Sequence, residues 1–181
     1  AQVWLKLFGL KRTDRLLCTD AMGSNSSSEK GSTAGGGPAD FEELFGPELV
    51  TKGGRKPTKE VLAGKKAVLL YFSAHWCPPC RGFTPVLAKA YNDYKDGDVE
   101  VVFVSSDKDE GGFNEYYGEM PWAALPFEKK DVKGTLSNRF GVQGIPMLVV
   151  LRPDGTVAAA NGRGEVQSGG SIAKALAAWG L

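Results

Sequence analysis

The sequence predicts an α/β domain built on a central mixed sheet, and three stretches carry that prediction. Ala67-Val68-Leu69-Leu70-Tyr71-Phe72 and Val99-Glu100-Val101-Val102-Phe103-Val104 are almost continuous apolar runs, as expected of parallel strands covered on both faces. A helix-periodic stretch separates them, so strand, helix and strand read as a right-handed crossover. A third run, Met147 to Leu151, meets a Pro153-Asp154-Gly155 turn and then Thr156 to Ala160. That hairpin adds antiparallel strands and makes the sheet mixed.

The bulk composition narrows the functional classes. A chain of 181 residues suits one domain with a proper core, plus a tail. Lys and Arg total 22 against 21 Asp and Glu, so neither a nucleic-acid surface nor an acidic-lipid surface is indicated. Three cysteines are too few for a small secreted fold stapled by disulfides, and a reducing, cytoplasmic or nuclear setting is expected. No apolar run reaches the roughly 20 residues that span a bilayer, so stable membrane insertion is not expected.

Residues 1–38 read as a tail. Trp4, Leu5, Leu7 and Phe8 alternate with Lys6, Lys11 and Arg12, a basic amphipathic pattern compatible with organelle targeting, although Asp14 and Asp20 run against it. Were translation to begin at Met22, Gly23 with Ser27 would fit the N-myristoylation pattern. Gly23 to Pro38 has almost nothing to bury and reads as a flexible linker. Its Gly35-Gly36-Gly37 run lacks the Lys-Ser/Thr of a phosphate loop.

A folded domain is expected over residues 39–181. Asp40 caps a short helix carrying Phe41, Leu44 and Phe45, stopped by Gly46-Pro47. Glu48 to Thr51 reads as an edge strand, Lys52 to Pro57 as a solvated turn, and Thr58 to Ala63 as another short helix ended by Gly64. After the first apolar run, Phe83, Val86, Leu87, Ala90, Tyr91 and Tyr94 mark one face of a helix of about five turns. Pro85 is expected to kink it. Ser106 or Asp107 is placed as the cap of a helix carrying Phe113, Tyr116 and Tyr117, and Met120 to Phe127 as a connection in which Trp122 is structural. Val132, Leu136 and Phe140 indicate a further helix, and Ile172, Leu176 and Trp179 a closing one. No internal repeat is present.

The chemistry gathers at Trp76-Cys77-Pro78-Pro79-Cys80, directly after a predicted strand and directly before a predicted helix. A sulfur at that junction lies beside unpaired backbone donors and the positive end of the helix dipole, which favours the thiolate. Pro78 falls at the first helical position, where its missing N–H costs nothing. Cys80, one helical turn on, can attack a mixed disulfide formed by Cys77. Two alternatives stand beside the redox dithiol. One is a metal site with His75 as third ligand, which lacks the fourth ligand a structural zinc requires. The other is plain packing of two buried thiols. His75 reads as a loop residue tuning Cys77, and Asp107, Asp109 and Glu110 as a solvated, helix-capping loop in preference to a cation site.

From Tyr71 through Pro85, the segment Tyr71-Phe72-Ser73-Ala74-His75-Trp76-Cys77-Pro78-Pro79-Cys80-Arg81-Gly82-Phe83-Thr84-Pro85 resembles the active-site block of tryparedoxins. Val101 to Asp107, Met120-Pro121-Trp122 and Ala124-Leu125-Pro126 are similar to nucleoredoxin blocks, and the resemblance extends from about Phe41 to Asn161. It implies a thioredoxin-like, three-layer α/β/α fold with a central mixed sheet. It also implies a protein-disulfide reductase in which Cys77 and Cys80 are catalytic. Trp76, Pro78, Pro79, Ile145 and Pro146 then form the substrate-binding surface, with the Ile145-Pro146 bond cis. No cofactor and no metal are implied. The implied partners are disulfide-containing protein substrates and an unidentified dithiol or NADPH-dependent reductase system, with the chain acting as a monomer. A redox-dependent binding module of nucleoredoxin type, with little turnover, is the alternative. The sequence departs from the family twice. Tyr71 stands where thioredoxins carry a buried proton-handling Asp, and Gly162-Arg163-Gly164-Glu165 with an alanine-rich helix replaces an acidic, Phe-Pro-Trp-containing tail.

Overall fold

A computed structural model describes residues 40–181. The targeting, myristoylation and linker readings of residues 1–38 lie outside the described residues.

Among the described residues, seven strands form one mixed sheet: β1 (Glu48–Thr51), β2 (Gly54–Pro57), β3 (Ala67–Ser73), β4 (Val99–Ser105), β5 (Ala123–Ala124), β6 (Met147–Leu151) and β7 (Val157–Ala159). Their spatial order is β2-β1-β5-β4-β3-β6-β7. β3 pairs in parallel with β4 and β4 with β5, while every other pairing is antiparallel. The two apolar runs are thus the two strands at the heart of the sheet, and all seven residues of each are buried.

Strand side chains alternate between faces, and two packed layers follow. Leu69, Tyr71, Val101, Phe103, Leu148 and Val150 meet α3 (Pro78–Asp93), α4 (Glu110–Gly118), α6 (Arg163–Gly169) and α7 (Ile172–Trp179). Val68, Leu70, Phe72, Val102, Val104 and Val149 meet α1 (Phe41–Phe45), α2 (Thr58–Leu62) and α5 (Lys130–Arg139). The result is the expected three-layer α/β/α arrangement.

Several local expectations are corrected. Residues 54–57 are not a turn but the strand β2, joined to β1 by a tight Lys52-Gly53 hairpin with Thr51 opposite Gly54. All four β2 residues are exposed, so no apolar alternation announces the strand; Arg55 holds it through bonds to Glu48 and Glu128. Its terminal Pro57 sits on the sheet edge, where a missing N–H is tolerated. The cap of α4 is Asp109, which accepts from Gly112 N at 2.9 Å, because Asp107 is committed elsewhere. α6 is a helix that the sequence pattern does not announce, since Val166 is its only buried residue. It begins after Gly162, where a Cβ would come within 2.6 Å of the Trp179 ring, so glycine allows α7 to close against β6.

Candidate active site

β3 ends at Ser73, and α3 starts at Pro78 with Cys77 as its N-cap residue. Cys77 and Cys80 are joined as a disulfide, with Cα atoms 5.2 Å apart. The two sulfurs are not equivalent. Cys80 is fully buried, whereas Cys77 keeps 4% exposure, so an incoming group meets Cys77 first. The local donors differ from the sequence expectation. Pro78 and Pro79 have no N–H, and the N–H groups of Cys80 and Arg81 both reach Cys77 O, at 3.0 and 3.1 Å. The turn is therefore poor in free donors, and the helix dipole is the main backbone contribution at the Cys77 sulfur.

Around the sulfurs the predicted surface comes together. The Ile145-Pro146 bond is cis, Ile145 packs against Ala74, Cys77 and Cys80, and Cys77 Sγ lies 3.9 Å from Ile145 O. Trp76 is 55% exposed yet anchored, because its Nε1 donates to Ser106 O at 3.0 Å. A shallow groove of about 240 Å³ runs from Trp76 past Val142, Gln143 and Gly144 to Ile145. Pro78 and Pro79, between the two cysteines in sequence, are exposed. Trp122 is buried in the core, as expected of a structural tryptophan.

Beneath the disulfide lies a chain of hydroxyls that sequence reasoning did not assemble. Tyr71 OH donates to Cys80 O at 3.2 Å and pairs with Thr84 Oγ1 at 2.8 Å. Thr84 in turn meets the Tyr116 hydroxyl, which bonds Ser73 Oγ at 3.0 Å. Burial pushes the Tyr71 phenol well above its ordinary value, so it remains a neutral donor at working pH. Tyr71 therefore positions the Cys80 backbone and does not replace an aspartate as a proton acceptor. Tyr116 is signalled only by helix periodicity, which reports burial and not polar pairing, and Thr84 only by its place in the tryparedoxin-like block.

Two further residues hold the loops. Asp107 Oδ1 accepts from His75 N at 2.8 Å and Oδ2 from Ser105 Oγ, tying the end of β4 to the residues before Cys77. Arg163 Nη1 donates to Pro146 O at 3.1 Å with its guanidinium over the Phe83 ring, so α6 braces the cis peptide. His75 lies beside the site, its ring 5.7 Å from that of Tyr116 and its Nδ1 3.8 Å from Glu115.

This architecture is matched by known proteins. The family model described as thioredoxin-like covers residues 64–157. Mouse (Mus musculus) nucleoredoxin is 42% identical over 132 residues, 72% of this chain but 30% of that protein. Tryparedoxin of Trypanosoma brucei brucei is 51% identical over 90 residues, 49% of this chain and 62% of that protein. The structure of native tryparedoxin I from Crithidia fasciculata superposes with a TM-score of 0.66 at 38% identity, covering 71% of this chain and 90% of that one. The chain belongs to the thioredoxin-like family, an oxidoreductase family, in its tryparedoxin and nucleoredoxin branch. It spans about 30% of the length of the mammalian nucleoredoxins it matches.

Proposed function

We propose that the chain is a thiol-disulfide oxidoreductase that reduces protein disulfides. The observation that carries this reading is the asymmetry of the sulfurs: Cys77 keeps 4% exposure beside an exposed Trp76 and a cis Ile145-Pro146, and Cys80 has none. In the reduced protein the Cys77 thiolate attacks one sulfur of a substrate disulfide, breaking that bond. One substrate thiolate departs and takes up a proton, leaving a mixed disulfide on Cys77. Cys80 then loses its proton and attacks Cys77 Sγ, forming the Cys77–Cys80 disulfide and releasing the second substrate thiol. Two electrons pass from the chain to the substrate. An external dithiol, or a reductase drawing on NADPH, restores the dithiol.

Trp76, Pro78, Pro79, Ile145 and Pro146 are assigned to substrate docking. Ile145 presents its carbonyl beside Cys77, where an extended substrate backbone can pair with it. The setting that fits this chemistry is the reducing cytoplasm or nucleus. Reduction of insulin with a dithiol donor tests the assignment: Cys77→Ser abolishes turnover on this reading, and undiminished turnover in that variant would sink it. Capture of a single partner in one redox state, without turnover, would instead mark a redox-dependent binding module.

A further inference from the structure

A second cavity, of about 250 Å³, shares the 105–107 turn with the groove at Trp76: Ser105 and Asp107 line the cavity, and Ser106 lines the groove. Leu125, Pro126 and Phe127 form its apolar part, and Lys129, Lys130 and Lys133 line it with positive charge. Among the described residues, none of these three lysines takes part in an ion pair. Lys129 and Lys133 are half-buried, and Lys130 Nζ is steered over the Phe127 ring at 5.1 Å. α5 begins at this wall with no side chain capping it, so its first N–H groups add to the positive potential.

One acid, Asp107, lines the cleft against the three lysines, which outnumber its charge. Its two oxygens are oriented by bonds from His75 N–H and the Ser105 hydroxyl. Glu128 is held by Arg55, and Asp131 is exposed on the first turn of α5. Burial draws the Lys133 ammonium below its ordinary value even with Asp107 close by, as expected of a cation lacking a full counter-charge.

The cleft is also tied to the chemistry. Asp107 reaches from its lining to the backbone of His75, and Ser106 accepts the Trp76 indole N–H. We propose that this lysine cleft binds an acidic segment of the polypeptide that carries the target disulfide, seating one or two carboxylates while the cysteine lies at Cys77. The inference rests on the reading of the chain as a protein-disulfide reductase. An extended chain advances about 3.3 Å per residue, so the number of residues between the target cysteine and the acidic residues sets the reach and is varied in the test. The apolar part of the cleft, with Phe127, suits an intervening aliphatic or aromatic side chain.

The test uses the full chain and peptides that each hold one disulfide. They carry a Glu pair or a Gln pair about three to six residues from a cysteine, on either side. At low ionic strength the better-placed Glu peptide is expected to show about five- to tenfold higher kcat/KM than its Gln partner, and the preference to shrink at high salt. The double variant Lys129→Gln, Lys133→Gln should bring the ratio close to one, with melting temperature reporting that the fold is kept. Equal kcat/KM for Glu and Gln peptides in the unaltered chain, or a ratio preserved in the double variant, overturns the cleft. Anisotropy binding of the same peptides to a Cys77→Ser, Cys80→Ser chain separates the two readings. Preferential Glu binding without reduction in the parent chain keeps the cleft and overturns the reductase. Reduction of all peptides without preference does the reverse.

Discussion

Tyr71 occupies the position that links the strand before the motif to the helix after it, and its role follows from protonation. A phenol held far above its ordinary value by burial stays protonated at neutral pH and can donate a hydrogen bond continuously. Tyr71→Phe removes the bonds to Cys80 O and Thr84 while keeping the ring, at an expected cost of about 1 kcal/mol, measured as a lower urea midpoint. The apparent pKa values of the pH–rate profile should stay where they are; a displaced profile would make Tyr71 a proton carrier after all. Asp107 works at the same scale through geometry. Asp107→Ala strips an acceptor from His75 N–H and from the Ser105 hydroxyl, and about 1–2 kcal/mol of stability should go with it.

At the level of elements, Glu100 joins β4 to its neighbours: it accepts from Tyr91 OH on α3 and from Ala123 N on β5, and lies 3.8 Å from Lys65. Burial pushes its carboxyl above the ordinary value of 4.5, against the pull of the Ala123 N–H, Lys65 and the Tyr91 hydroxyl. The folded state therefore holds this proton more tightly than the unfolded chain does. Glu100 favours folding fully below about pH 4.5, and that contribution is lost as pH rises through the folded value. Urea unfolding at about pH 4.5 and about pH 8 should show Glu100→Gln flattening that decline relative to the parent chain. Gly162→Ala tests a different junction, because its new methyl meets Trp179 and Val150; overpacking of this kind costs about 1–3 kcal/mol, read as a lower melting temperature. Elements that bury a continuous apolar run or a full helical face, β3, β4, β6, α3 and α7, were legible in the sequence. Those held by polar pairing or by neighbours were not: β2 hangs on Arg55, β5 is only Ala123–Ala124, and α6 buries little beyond Val166. The same division runs through the site. The dithiol and the Ile145-Pro146 pair were readable, whereas the hydroxyl chain of Tyr71, Thr84, Tyr116 and Ser73 depends on contacts between distant segments that periodicity does not encode.

For the whole molecule, the donor-poor turn at Cys77 bears on the direction of electron flow. Strong oxidants of this fold stabilise their reduced thiolate, and here two prolines remove backbone donors while Cys80 and Arg81 spend theirs on Cys77 O. The reduction potential is accordingly expected nearer the reducing end of the roughly −270 to −120 mV span of such proteins. Equilibration with a glutathione buffer of known poise measures it. The most direct test of the central claim is to trap the reaction half-way. Cys80→Ser, incubated with a disulfide-bonded protein and examined by intact mass and peptide mapping, should accumulate a mixed disulfide on Cys77, while Cys77→Ser should form none. A substrate bonded to Cys80 in the Cys77→Ser chain, at a yield matching that of the other variant, would contradict the assignment of attacking and resolving sulfurs.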